Sequence, residues 1–328
     1  MRNLITDIPG IRIGHAGDAR LGSGATAIVF DKAVVASVDV RGGGPGTRET
    51  ALLDPAQTVA GIDAIVLSGG SAFGLDAASG VQAWLREMGR GFQVRDARVP
   101  IVPGAILFDL LSGGDKNWGR FPPYRELGYE AAKSAAEDFA LGSVGAGLGA
   151  TTVNFKGGIG SASAKTRSGL TVGAIAAANA AGSMTIGNGP HFWAAPFEQN
   201  KEFGGLGWPA AFPADALAFR SKGAPGENTT LAVVATDARL TKAQAKRLAV
   251  MAQSGLSRAI YPVHTPLDGD VVFAASMGAK PLPDPIFSLS ELGTLAANVL
   301  ARAVARGVYE ATRLPFDGAL QSWRDRFA

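Results

Sequence analysis

The chemically most promising residues of this chain lie at a joint. Gly226-Glu227-Asn228 runs directly into Thr229-Thr230-Leu231-Ala232-Val233-Val234, a polar loop meeting an apolar, β-branched run. If the Asn228–Thr229 bond breaks, Thr229 gains a free α-amine beside its own hydroxyl. Such an amine has a pKa of roughly 7.7–8.0, so much of it is neutral at working pH. It can take the hydroxyl proton directly or through water, which produces an activated nucleophile. The same hydroxyl could make the cut by attacking the Asn228 carbonyl, given a positioned peptide and an oxyanion donor. On the dipeptide alone, two β-branched residues opening a strand is the ordinary reading.

Other segments carry reactive side chains. His264-Thr265-Pro266-Leu267-Asp268-Gly269-Asp270 places two carboxylates two residues apart, and on a strand these would share a face. Taken alone, it also reads as a turn with solvated charges. Asn179 closes a strand and, by itself, reads as a cap or Asx turn. Lys156 opens Lys156-Gly157-Gly158-Ile159-Gly160. The glycine-rich run Arg41 to Glu49 lacks the Gly-Lys-Ser/Thr ending of a phosphate loop. Ser68-Gly69-Gly70-Ser71 lacks the Gly-x-Ser-x-Gly of a nucleophile elbow and reads as a strand-to-helix turn. His15, His191 and His264 are isolated, without metal-ligand spacing, and His264 reads as structural.

These residues need a framework. The chain has 328 residues, 47% of them hydrophobic and 18% charged, enough to bury a large core. Its 44 glycines suit close packing and sharp turns. The net charge of +3 is scattered, without a basic run to follow a phosphate backbone, which argues against nucleic acid. The absence of cysteine excludes disulfides, thiolate catalysis and cysteine metal sites. No apolar run reaches the length of a membrane span, and the polar start, broken by Pro9 and Gly10, does not read as a secretory leader; a cytoplasmic location is the expectation.

Periodicity predicts strands over 25–30 and 34–40 joined by an Asp31-Lys32 turn, and further strands over 64–67, 170–178, 229–236 and 271–275. Helices are predicted over 75–88, 128–140, 241–255 and 290–312, with Thr241 as N-cap and Gly89 and Gly255 as stops. Residues 184–227 read as a long irregular surface segment, flexible near 221–227, and as a processing linker. The order of elements predicts a layered α/β sandwich.

Asn228-Thr229-Thr230 with its strand, the His264–Asp270 run, the Lys156–Gly160 run, and Val172-Gly173-Ala174-Ile175 leading to Asn179 occur in one order. With Leu4-Ile5-Thr6-Asp7-Ile8-Pro9-Gly10-Ile11 at the start, they resemble the P1 (S58, DmpA-type) peptidase family over nearly the whole chain. That family includes L-aminopeptidase/D-esterases, β-peptidyl aminopeptidases and 6-aminohexanoate (nylon) oligomer endohydrolases. The resemblance implies a self-processing amide hydrolase with an αββα-type layered sandwich (DmpA/ArgJ-like). It implies one domain over 1–328, cut between 228 and 229 into chains 1–228 and 229–328. It also implies a homo-oligomer, a tetramer of cleaved protomers; with the histidines isolated, no metal and no cofactor are expected.

Carried over residue by residue, the resemblance puts the nucleophile at Thr229 and the oxyanion-stabilising amide at Asn179. Two acidic positions fall on Asp268 and Asp270. One would orient the Thr229 amine or hydroxyl, and the other would hold a substrate ammonium or a shared proton. The active-site lysine falls on Lys156, to polarise the substrate carbonyl or pair with one of the two aspartates. Phe108 stands where some members have a tyrosine and is expected to touch substrate. Aminopeptidase members commonly have serine as nucleophile and a Ser-Gly-Glu pattern, whereas Thr229 and Asp-Gly-Asp are similar to the oligomer hydrolase. Short peptides, amino-acid amides and linear 6-aminohexanoate oligomers are all candidate substrates. Two other classes stay open. One is an ornithine-acetyltransferase-like acyl transferase, whose Met-Ala-Thr-Met-type cleavage context is absent here. The other is an uncleaved, non-catalytic relative.

Overall fold

A computed structural model describes residues 1–222 and 228–328. Its strands are β1 (Ile11–Asp18), β2 (Ser23–Val40), β3 (Gly46–Arg48), β4 (Ile62–Ser68), β5 (Phe92–Val94), β6 (Ala97–Val99), β7 (Gly104–Ile106), β8 (Ile159–Lys165), β9 (Thr171–Asn179), β10 (Thr229–Ala238) and β11 (Val271–Lys280). The helices are α1 (Ala77–Glu87), α2 (Tyr124–Lys133), α3 (Lys242–Ala259), α4 (Phe287–Tyr309) and α5 (Trp323–Phe327). Strands run β3-β7-β4-β2-β11-β10-β9-β8 along one hydrogen-bonded path, with β1 on β2 and β5-β6 as a separate hairpin.

The path forms two layers because β2 serves both. Its first half pairs with β1 and β4, and its last residues pair with β11. Side-chain alternation then sorts three cores. Ile28, Phe30, Ile65 and Leu67 of one layer meet Ile175, Leu231, Val233 and Phe273 of the other. The opposite faces pack outward, Ala27, Val29 and Val66 toward α1 and α2, and Ala232, Val234 and Val272 toward α3 and α4. The architecture is α/β in αββα order, as the sequence leads one to expect.

Local differences have physical causes. Asp31 and Lys32 do not turn the chain; β2 runs through them, and its register with β4 shifts between Val29 and Val34. The second helix is Tyr124–Lys133 rather than 128–140, because Pro123 opens it and Ala136 leaves to exchange backbone hydrogen bonds with Ile13. Thr241 does cap α3, in a capping box with Gln244. Gly255, however, lies inside that helix. A Cβ there would come within 2.4 Å of the Ala297 carbonyl oxygen, so the glycine permits close α3–α4 packing rather than a stop. Helix α4 starts at Phe287, where Asp284 Oδ1 accepts the Ile286 and Phe287 N–H groups at 2.8 and 2.6 Å.

The segment after β9 is irregular, with a short 3-10 turn over Ala195–Phe197. It is not confined to the surface, since Phe192 and Phe203 are buried beside Trp323. The expected flexible stretch 221–227 falls largely outside the described residues.

Candidate active site

Three neighbouring strand ends build the site. β9 and β10 are antiparallel, with Asn179 directly opposite Thr229. β10 and β11 are parallel, and Asn228 pairs with Asp268 just before both strands begin. The end of β9, the start of β10 and the approach to β11 therefore converge on one spot. All five side chains from Asn179, Asn228, Thr229, Asp268 and Asp270 are buried.

The Thr229 hydroxyl donates to the carbonyl oxygen of Asn228. That oxygen also accepts the Gly269 N–H at 2.8 Å. The carbonyl before the nucleophile candidate is thus polarised by a fixed backbone dipole. Gly269 is needed for this approach, because a Cβ there would lie 2.7 Å from Thr229 Oγ1 and 2.7 Å from the Gly44 oxygen. The Arg41–Gly44 run acts as a strap around the same loop. Gly44 N–H donates to the Asp268 carbonyl at 2.8 Å and Arg41 N–H to that of Asp270 at 3.0 Å.

Asp268 and Asp270 precede β11 rather than lying on it, and their carboxylates face different partners. Asp270 Oδ1 accepts the Thr230 N–H at 2.8 Å, and its Oδ2 accepts from the His264 ring at 2.9 Å and backbone at 3.1 Å. Asp268 Oδ1 accepts the Ala181 N–H at 2.9 Å, and its Oδ2 accepts the Thr265 hydroxyl at 2.7 Å. Burial, and after it the negative charge of Asp270, raises the Asp268 carboxyl above the ordinary carboxylate range. Asp270 holds the backbone next to Thr229, one residue along from the group it was expected to orient. His264, read as structural from sequence, is its ring partner. The short spacing from His264 to Asp270 was the available signal.

Asn179 has a fixed orientation. Its Oδ1 accepts the Thr151 N–H at 2.9 Å, an obligate donor, and its Nδ2 donates to the Phe108 carbonyl at 3.1 Å. The Phe108 side chain lines an adjoining cleft of about 330 Å³, along with Leu111, Thr151, Lys222, Asp317 and Leu320.

Lys156 behaves differently from expectation. Its Nζ donates to the carbonyl oxygens of Gly147, Ala150 and Gly157 at 2.9, 2.8 and 2.7 Å, and no hydrogen bond joins it to Asp268 or Asp270. Full burial pushes its pKa down to about 7, partly opposed by the charge of Asp109. The lysine ties together the loop beneath Thr151, whose N–H in turn holds Asn179. Sequence reasoning also missed Asp109, fully buried, where it accepts from Ser23 Oγ at 2.7 Å and Gly70 N–H at 2.8 Å. Burial raises its carboxyl pKa. The Ser68–Ser71 turn clasps this carboxylate: a Cβ on Gly69 would lie 2.2 Å from it. Among the described residues, no group of three or more His, Asp or Glu side chains is placed to hold a metal ion. Among the same residues, no helix is long and apolar enough to cross a membrane.

A layered α/β fold thus carries a threonine at a buried strand start, opposite an amide and close to two buried carboxylates. Solved structures agree on the fold. The L-aminopeptidase D-Ala-esterase/amidase of Ochrobactrum anthropi, described as a variant of the Ntn hydrolase fold, matches with a TM-score of 0.73 at 22% identity, covering 98% of this chain and 91% of that one. A Burkholderia sp. beta-aminopeptidase matches with a TM-score of 0.72 at 22% identity, covering 98% and 90%. The model of peptidase family S58 matches residues 3–319, and the chain belongs to that family. An uncharacterized aminopeptidase of Mycobacterium tuberculosis is 45% identical, covering 99% of this chain and 98% of that protein. A 6-aminohexanoate-oligomer endohydrolase of Agromyces sp. is 26% identical, covering 91% and 84%. The protein is an amide hydrolase of this peptidase family.

Proposed function

We propose that Thr229 is the nucleophile and that it becomes one by cutting the chain before itself. Its Oγ1 attacks the Asn228 carbonyl carbon. The C–N bond breaks, the Thr229 nitrogen takes the proton, and an ester links Asn228 to Oγ1. Water hydrolyses the ester, leaving an Asn228 carboxylate and Thr229 with a free amine and hydroxyl. The observation that carries this reading is the hydroxyl of Thr229 resting on a carbonyl that also receives the Gly269 N–H at 2.8 Å. That N–H is a ready donor to the oxyanion of the cut.

In turnover, the Thr229 amine takes the hydroxyl proton as Oγ1 attacks the substrate amide, then returns it to the departing amine. Water then releases the acyl group. Asn179, opposite Thr229, supplies an amide donor to the developing oxyanion without changing its own charge. Asp270 positions the backbone through Thr230, and Asp268 stores negative charge or a proton beside the new amine. Lys156 supports this site through the 147–157 loop.

The substrates are short peptides or amino-acid amides, with linear 6-aminohexanoate oligomers as the second reading. The 45% identity to a protein named as an aminopeptidase favours the first. Thr229 and Asp-Gly-Asp favour the second. Cleaved protomers assemble as a homo-oligomer, a tetramer, for which exposed Trp208, Phe212, Leu217 and Phe219 offer apolar surface. Kinetics of purified variants test the nucleophile. Thr229→Ser should retain hydrolysis of an amino-acid p-nitroanilide or a linear 6-aminohexanoate oligomer, and Thr229→Ala should lose it. Undiminished turnover by the alanine variant overturns the reading, and the preferred substrate separates the two classes.

A further inference from the structure

The cleft beside Asn179 already contains an ammonium. Lys222 Nζ donates to the Thr151 carbonyl at 2.8 Å, the Thr151 hydroxyl at 3.0 Å and Asn179 Oδ1 at 3.1 Å. These three acceptors are oxygens of the scaffold, and oxygen acceptors are what an ammonium requires. The Lys222 backbone is tied down as well. Its N–H donates to the Ala181 carbonyl at 3.0 Å, and its carbonyl accepts from Asn228 Nδ2 at 2.9 Å. The residue is thus fastened on one side to the strand end that carries Asn179 and on the other to the residue at the cut.

We propose that the Lys222 ammonium occupies the subsite that receives the free amine of the substrate's acyl group, so that this side chain is a built-in occupant of the substrate cleft. The proposal rests on Thr229 as nucleophile, since Asn179 lies opposite that residue and the subsite is measured from it. The cleft suits an aminoalkyl chain. Phe108, Leu111 and Leu320 give apolar walls, and Asp317 adds a carboxylate to the lining. A lysine side chain, a four-carbon stem ending in an ammonium, has the form of an ω-aminoacyl group. The class of ligand is an acyl chain ending in a primary ammonium. After the cut, substrate must displace Lys222 to bind.

Binding measured without turnover tests this. In a Thr229→Ala background, calorimetric titration with n-pentylammonium should show at least tenfold tighter binding when Lys222→Ala is added. Lys222→Gln, which removes the charge with less loss of volume, should move the same way. Lys222→Arg, which keeps a cation in place, should leave binding weak. Neutral n-pentanol should gain little, and Thr151→Val added to Lys222→Ala should reverse the gain. Equal binding by the folded Lys222 variants and their parent overturns the proposal, as does an equal gain for pentanol. The experiment reads no hydrolysis, so its failure is distinct from failure of the nucleophile assignment, which appears as turnover surviving in Thr229→Ala alone.

Discussion

Asn179 shows how much at this site depends on one amide. The Thr151 N–H fixes its oxygen, so its nitrogen faces the Phe108 carbonyl. Removing an oxyanion donor typically costs about 100- to 1,000-fold in kcat. Asn179→Ala should therefore lose about 100-fold in kcat with a smaller change in KM, as steady-state assays with an amino-acid p-nitroanilide will show; unchanged kcat removes Asn179 from the chemistry. Thr229, Asn179, Asp268 and Asp270 were legible only through the family resemblance, since each alone reads as a strand start, a cap or a turn; pairing register then gathers them at one spot. Lys156 and Asp109 are less so. Their partners are backbone groups from loops distant in sequence, and nothing in the order of residues announces three carbonyls converging on an ammonium.

At the scale of elements, the irregular segment after β9 is held by a buried ion pair. Arg302 on α4 meets Glu202 at 2.5 Å, and both side chains are almost fully buried. Breaking a buried pair by removing one partner leaves an uncompensated charge and costs about 3–5 kcal/mol. Glu202→Ala should lower the free energy of unfolding by about that amount in urea titrations. A loss below about 1 kcal/mol would mean the pair is replaceable by water. Strands β4, β9, β10 and β11 and most helices were readable from alternation and capping, as with Thr241 and Gln244 on α3, whereas β1 and β8 were not predicted. The single long β2 was not, because Asp31 and Lys32 imitate a turn while the chain continues through them. Gly255 misled for a related reason: its value lies in what packs against it, which local sequence does not contain.

Across the whole molecule, four layers enclose three apolar cores. His15 is a partly buried titrating group on β1, its ring set edge-on to Phe139. Burial lowers its pKa from 6.5 to about 4, so the folded protein keeps it neutral where the unfolded chain protonates. The sign follows. Its contribution is fully present above pH 6.5 and is lost as pH falls toward 4, by about 3 kcal/mol in all. Denaturant titrations at pH 7 and pH 4 should show a smaller loss for His15→Gln than for the parent chain. An equal loss would place the acid sensitivity elsewhere.

The layers also explain why Thr229 sits where it does: the start of an internal strand is rigid, dry and bounded by two partner strands. Intact-mass spectrometry of the purified protein and of Thr229→Ala tests that placement most directly. The account predicts that the parent chain resolves into fragments 1–228 and 229–328, while the alanine variant stays whole. An active parent that remains one chain of 328 residues, with no amine freed on Thr229, contradicts it.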